Sequence, residues 1–134
     1  MSGTAVVDTS VLVDAMVPEA RRHSAARTEI SALDRMILPS IVVYELVWVL
    51  KRLGSSEKTV RDVVEALVGN PKVTVLPDDG QLAAKAMRRL AIEGQDLSSF
   101  DDKVILECAL KANARLITYD LELKKEAKNA GIQD

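Results

Sequence analysis

Thr4-Ala5-Val6-Val7-Asp8 and, near the far end of the chain, Arg115-Leu116-Ile117-Thr118-Tyr119-Asp120 are short apolar runs that each end on an aspartate. Apolar runs of this length without polar alternation read as strands buried on both faces, the mark of a parallel sheet. Two further runs fit the same pattern: Met36-Ile37-Leu38, stopped by Pro39, and the β-branched Val73-Thr74-Val75-Leu76 between two prolines. The intervening segments read as helices. Ser10 to Met16 supports one helical turn or two, and Pro18-Glu19 opens a helix running to about Leu33. Ser40 to Leu53 ends at Gly54, and Ser56 caps an amphipathic helix carrying Val60, Val63, Val64 and Leu67. Asp78 or Asp79 caps a helix with the stripe Leu82, Ala83, Ala86, Met87 and Leu90. Ser98 or Ser99 starts another, through Ala112. Leu121 to Ala130 is a last short helix, and Ile132 is a candidate start for a final strand. Strands separated by helices imply βαβ units, an α/β fold and a parallel sheet of four to five short strands. In such a sheet ligands sit beyond the carboxyl ends of the strands, where both terminal aspartates lie.

The chain has 134 residues, 48% of them hydrophobic and 28% charged, which supports one packed domain over residues 1–134 and argues against disorder. Cys108 is the sole cysteine and His23 the sole histidine. No internal disulfide, cysteine-based zinc cluster or histidine-rich metal site can be built from them, and a Ser-His-Asp apparatus is a poor fit. Any chemistry must come from the 20 carboxylates, 18 basic groups and the hydroxyls, and the net charge of −2 does not favour bulk nucleic-acid affinity. The N-terminus lacks a signal-peptide pattern, and the longest apolar stretch, Ile41 to Leu50, is too short to cross a membrane and contains Glu45. The expected location is the cytoplasm, with no membrane association. Phe100, Trp48, Tyr44 and Tyr119 are too few aromatics for an extended base-stacking platform.

Acids at four places stand out. Asp8 and Asp120 end strands and, in a parallel sheet, face one rim; turn or helix capping is the ordinary use of such residues. Glu45 lies within Ile41-Val42-Val43-Tyr44-Glu45-Leu46-Val47-Trp48-Val49-Leu50, which reads as a helix apolar all round and therefore buried. A carboxylate there must be protonated, paired or metal-bound, because leaving it buried and uncompensated costs several kcal/mol. Asp101-Asp102 opens a helix, where acids complement the dipole. The two point about 100° apart, so at most one should face a given site. If these acids converge, their repulsion calls for a cation, and an oxygen-only ligand set selects Mg²⁺ or Mn²⁺. Such a site does phosphoryl chemistry.

Val7-Asp8-Thr9-Ser10-Val11-Leu12-Val13 resembles the opening motif of PIN domains, and more narrowly of the toxin ribonucleases of VapBC toxin–antitoxin pairs. Pro39-Ser40-Ile41-Val42-Val43-Tyr44-Glu45-Leu46, Leu97-Ser98-Ser99-Phe100-Asp101-Asp102-Lys103-Val104-Ile105 and Leu116-Ile117-Thr118-Tyr119-Asp120 supply three more matches in the right order. The resemblance covers essentially the whole chain. It implies a PIN-like three-layer α/β/α sandwich and a metal-dependent endoribonuclease. Asp8, Glu45 and Asp102 match the family's metal-binding acids and Asp120 its fourth, with Mg²⁺ or Mn²⁺ as cofactor. Asp102 fits the register better than Asp101, although Lys103 stands where alanine is common. Thr9, Ser10 and Thr118 match polar positions near the metal. The implied partners are an RNA substrate, a small antitoxin and a second copy in a homodimer.

Basic groups available for phosphate contacts include Arg21, Arg22 and Arg27, Lys51 and Arg52, Lys85, Arg88 and Arg89, and Lys124, Lys125 and Lys128. His23 reads as exposed and Cys108 as a small core residue. Two other readings exist. A metal-dependent phosphatase with Asp8 as nucleophile resembles Asp-x-Asp-x-Thr, but position 10 is Ser. A degenerate PIN fold acting only as a protein- or RNA-binding module would not need all four acids.

Overall fold

The structure, a computed structural model, describes residues 3–132. In chain order the elements are β1 (Thr4–Val7), α1 (Thr9–Met16), α2 (His23–Ser31), β2 (Arg35–Pro39), α3 (Ser40–Arg52), α4 (Glu57–Gly69), β3 (Val73–Leu76), α5 (Gln81–Glu93), a 3₁₀ turn (Leu97–Ser99), α6 (Phe100–Ala112), β4 (Arg115–Ile117) and α7 (Leu121–Asn129). The strands form one parallel sheet in the order β3-β2-β1-β4, with Val6 opposite Ile37 on one side and Leu116 on the other. The chain leaves β1 towards β2 and β3, then returns to place β4 on the opposite side of β1. Right-handed crossovers therefore put α1–α4 on one face and α5–α6 on the other, as in a three-layer α/β/α sandwich. The switch point lies between β1 and β4, where connections diverge and a crevice opens at the strands' carboxyl ends.

The core joins Ala5, Val6 and Val7 of β1 to Leu38, Leu116 and Ile117 of neighbouring strands. Leu12 of α1, Leu46 of α3 and Ile105, Leu106, Cys108 and Ala109 of α6 close over it. Every residue of α6 from Lys103 to Ala109 is buried, so this helix is the central element of its layer. Burial pushes the Cys108 thiol up to about 12, which keeps it an inert core group.

Four expectations need correction. The helix expected from Pro18 begins only at His23. Residues 17–22 instead form successive turns, with the amides of Ala20 and His23 bonded to the carbonyls of Val17 and Ala20 (3.0 Å each). Pro18-Glu19-Ala20-Arg21-Arg22 offers no apolar stripe to pack, and Ala26 is the one buried residue of α2. His23 is not fully exposed: a ring nitrogen lies 2.9 Å from the carbonyl oxygen of Asp14. Among the described residues no fifth strand forms at Ile132, and the rest of that expected strand lies outside them. The Ile132 amide bonds to the Ala127 carbonyl (2.9 Å) across Gly131 at φ +91°, a left-handed helix termination that consumes the donor a strand would need. Finally, α3 is not apolar all round in its setting: Val42, Val43, Leu46 and Leu50 are buried, whereas Tyr44 and Trp48 are 65% and 58% exposed.

Lys103 is wholly buried, and its Nζ pairs with Glu126 of α7 and with Glu93 of α5 at 3.1 Å. Arg89 of α5 adds a 2.7 Å pair to Glu107 of α6. These pairs tie the three helices together. Lys103→Ala should lower stability by about 2–3 kcal/mol, below the ~3–5 of a fully buried pair because both acids keep some water contact. Urea unfolding checks this, and a loss below about 0.5 kcal/mol would mean the clamp contributes nothing.

Candidate active site

At the switch point β1 ends on Asp8, which caps α1 while its own amide continues the ladder to the Ile117 carbonyl (3.0 Å). The carboxylate is buried and held from three sides. Oδ1 accepts from the Thr9 amide (2.8 Å), and Oδ2 accepts from Thr118 Oγ1 (2.7 Å) and more weakly from Ser10 Oγ (3.5 Å). Thr118 also accepts from the Asp120 amide (3.1 Å), which bends the chain out of β4 and ends that strand at Ile117, two residues before the expected Tyr119. Asp120 is exposed and caps α7, accepting from the amides of Glu122 and Leu123 (2.9 and 3.1 Å). The capping reading is thus correct for both strand-end aspartates, and both also border the crevice.

Glu45 reaches the same crevice from the half-buried side of α3. Its Oε1 accepts from Thr9 Oγ1 (2.7 Å), so Thr9 connects the loop after β1 to α3. Asp101 and Asp102 come from the first turn of α6. Contrary to the expectation that at most one would face the site, both line it. Asp101 lies within hydrogen-bonding reach of Glu45, and Asp102 faces the field of Asp8 and Asp120.

The result is a cleft of about 790 Å³ bordered by six carboxylates, those of Asp8, Asp14, Glu45, Asp101, Asp102 and Asp120, and two guanidiniums, Arg22 and Arg52. Crowding shows in the titration of the acids. Burial, then the adjoining Asp101, pushes Glu45 up to about 7 against an opposing bond from Thr9. Burial and repulsion from Asp8 and Asp120 push Asp102 up to about 6. Burial also raises Asp8, opposed by its bonds from Thr118 and Thr9.

The donor set consists of hard oxygens and suits Mg²⁺ or Mn²⁺. Among the described residues, no three Asp, Glu, His or Cys side chains already stand around one point. Thr118, Thr9 and the α7 amides occupy the carboxylate lone pairs instead. Mg²⁺ does not require three protein ligands, since it characteristically takes one or two carboxylates and completes its shell with water and substrate phosphate. The residues present therefore fit such an ion.

The family model for the PIN domain matches residues 5–129. The chain belongs to the PIN domain family. Among solved structures, this PIN domain resembles VapC20 of Mycobacterium tuberculosis, described as a sarcin-ricin loop cleaving toxin. The TM-score is 0.80 at 18% identity, covering 96% of this chain and 95% of that one. FitAcB of Neisseria gonorrhoeae matches with a TM-score of 0.68 at 19% identity, over 96% of this chain and 94% of the other. FitAB bound to an IR36 DNA fragment gives 0.66 at 17% identity, over 96% and 92%. At these identities the likeness is one of fold. A search of curated proteins found no match to the sequence.

Asp14, Trp48 and Tyr119 also border the cleft of this PIN domain and were not singled out from sequence as site residues. Helical spacing was the available signal. Asp14 follows Ser10 by four residues and Trp48 follows Glu45 by three, so each shares a face with a site residue.

The raised carboxyls set the sign of a pH effect. Their folded-state values, about 7 for Glu45 and about 6 for Asp102, lie above the ordinary 4.5 and 3.8 of the unfolded chain. The folded state therefore holds more protons between about pH 4 and 7, and the stability these groups contribute is lost as pH rises through that window. In EDTA, urea midpoints should fall from pH 5 to pH 8, and Glu45→Gln or Asp102→Asn should flatten the decline. A midpoint that climbs over this range would show that the carboxyls are not crowded.

Proposed function

We propose that this PIN domain is a Mg²⁺- or Mn²⁺-dependent endoribonuclease that hydrolyses RNA phosphodiester bonds. We further propose that it acts in the cytoplasm as the toxin of a type II toxin–antitoxin pair, with a small antitoxin as inhibitor and a homodimer as its working form. One observation carries the nuclease reading: Asp8, Glu45, Asp102 and Asp120, distant in sequence, border one cleft, and burial and crowding hold Asp8, Glu45 and Asp102 above their ordinary values. Family membership supports it. The toxin reading draws on the fold shared with VapC20.

In this reading Asp8 and Asp102, with Glu45 and Asp120, hold the ion. When bound, such an ion activates a water for attack on phosphorus and stabilises the leaving oxygen. The protein's own groups do the positioning. Thr118 and the Thr9 amide fix both oxygens of Asp8, and the Thr9 hydroxyl orients Glu45, so two acids are preset on β1 and α3. Arg22 and Arg52 border the same cleft and in this reading contact phosphate oxygens of the RNA. The cleft's excess of negative charge repels an RNA backbone until a cation offsets it, which makes substrate entry depend on the same ion as hydrolysis.

RNA cleavage should appear with Mg²⁺ or Mn²⁺ and vanish with EDTA. Asp8→Asn should lower the rate on the order of a thousandfold, with the circular dichroism spectrum unchanged. Asp102→Asn should do the same and Asp101→Asn less. Full activity of Asp8→Asn, or cleavage in EDTA, refutes the nuclease site. The reverse order for Asp101 and Asp102 reassigns the ligand to Asp101.

A further inference from the structure

The cleft holds one feature that phosphodiester chemistry does not use. Trp48, the sole tryptophan, is 58% exposed on the cleft wall, one helical turn beyond Glu45. A large ring left open to water beside a row of acids gains nothing for the fold. The other aromatic lining the cleft, Tyr119, is already covered, with the Arg22 guanidinium 4.7 Å from its ring centroid and its hydroxyl 3.5 Å from Glu29. Trp48 is the more open of the two, with the Lys51 ammonium 5.5 Å from its ring centroid. Arg52 follows Trp48 by four residues and lines the same cleft.

We propose that Trp48 stacks on one unpaired base of the RNA next to the bond cut, with Lys51 and Arg52 contacting the flanking phosphates. This rests on the ribonuclease reading and adds the form of RNA that the site takes. The cleft volume, about 790 Å³, falls within the range of about 300–1,000 Å³ typical of ligand pockets and exceeds what a hydrated ion needs. Four aromatics do not make a stacking platform for a long strand, but one ring is enough for one base. Stacking needs a base whose face is free, so the site accepts single-stranded segments and rejects a continuous duplex. The cations beside the ring supply the charge complementarity that an RNA backbone requires and an apolar protein surface does not.

Because Trp48 is the only tryptophan, its fluorescence reports on the site directly. The test uses the full-length wild-type protein in Mg²⁺, titrated with a fluorescein-labelled, cleavage-resistant phosphorothioate RNA oligonucleotide of unstructured sequence and with the same sequence as a duplex. Anisotropy of the label follows binding independently of Trp48. The single strand should quench the tryptophan emission and the duplex should not. Trp48→Ala should weaken single-strand binding about tenfold, and Trp48→Phe should restore most of it. With a cleavable single strand and Asp8 intact, Trp48→Ala should raise KM more than it lowers kcat. The proposal is overturned if the oligonucleotide binds by anisotropy with no change in emission, or binds Trp48→Ala equally well. It is also overturned if the emission changes with protein concentration alone, which would assign this face to a second copy of the chain. Those results leave the ribonuclease reading standing. Absence of any RNA binding or cleavage by the wild-type protein removes both.

Discussion

Asp8 carries a buried carboxylate at the point where the sheet reverses its winding, and the site is organised around keeping it there. The hydrogen bond from Thr118 reaches it across the β1–β4 seam, and the Thr9 amide reaches it from the start of α1. Thr9 then passes a second bond to Glu45, so the loop after β1 links acids on two elements. Burying one carboxylate is costly, and placing others beside it raises the cost. The site carries this load beside the buried core, next to β1 and the buried middle of α6, Lys103 to Ala109.

Crowding of like charge also accounts for the other face of α6. Its first turn presents Asp101 and Asp102 to the cleft, while the next residue, Lys103, points away into two carboxylates from α5 and α7. The helix thus separates its negative end from a buried positive charge that anchors it. Lys103 holds α7 against α6, and α7 begins at Asp120, so the clamp fixes the spacing of two of the cleft's acids. Lys103, directly after Asp102, thus serves the fold as an ion-pair anchor for α6.

Much of the fold was readable because β1 and β4 are largely buried and the helices end on strong signals. Val6-Val7 and Leu116-Ile117 have no polar alternation, and Ser56 caps α4 as expected, accepting from the Thr59 amide at 3.1 Å. The acids at strand ends were readable because a parallel sheet sends all its carboxyl ends one way. What failed depended on tertiary context. Hydrophobicity alone could not show that Tyr44 and Trp48 face water, since an apolar side chain on an amphipathic helix can lie on either side. The 100° between Asp101 and Asp102 excluded one of them only for a flat site. A cleft wrapping the end of α6 meets both. Ile132 was apolar enough for a strand, but Gly131 turned its amide back onto α7. Residues 1, 2, 133 and 134 of the expected domain lie outside the described residues.

The central claim is that the crowded acids form a divalent-cation site. Direct Mn²⁺ binding, followed by electron paramagnetic resonance of the free ion at pH 7.5, tests it without reference to any substrate. The account predicts saturable binding by the wild-type protein, competition by Mg²⁺, and affinity that weakens below pH 6 as protons reclaim the carboxyls. Asp8→Asn should lose most of that affinity. Equal Mn²⁺ binding by the wild-type and Asp8→Asn proteins, or none by either, would contradict it.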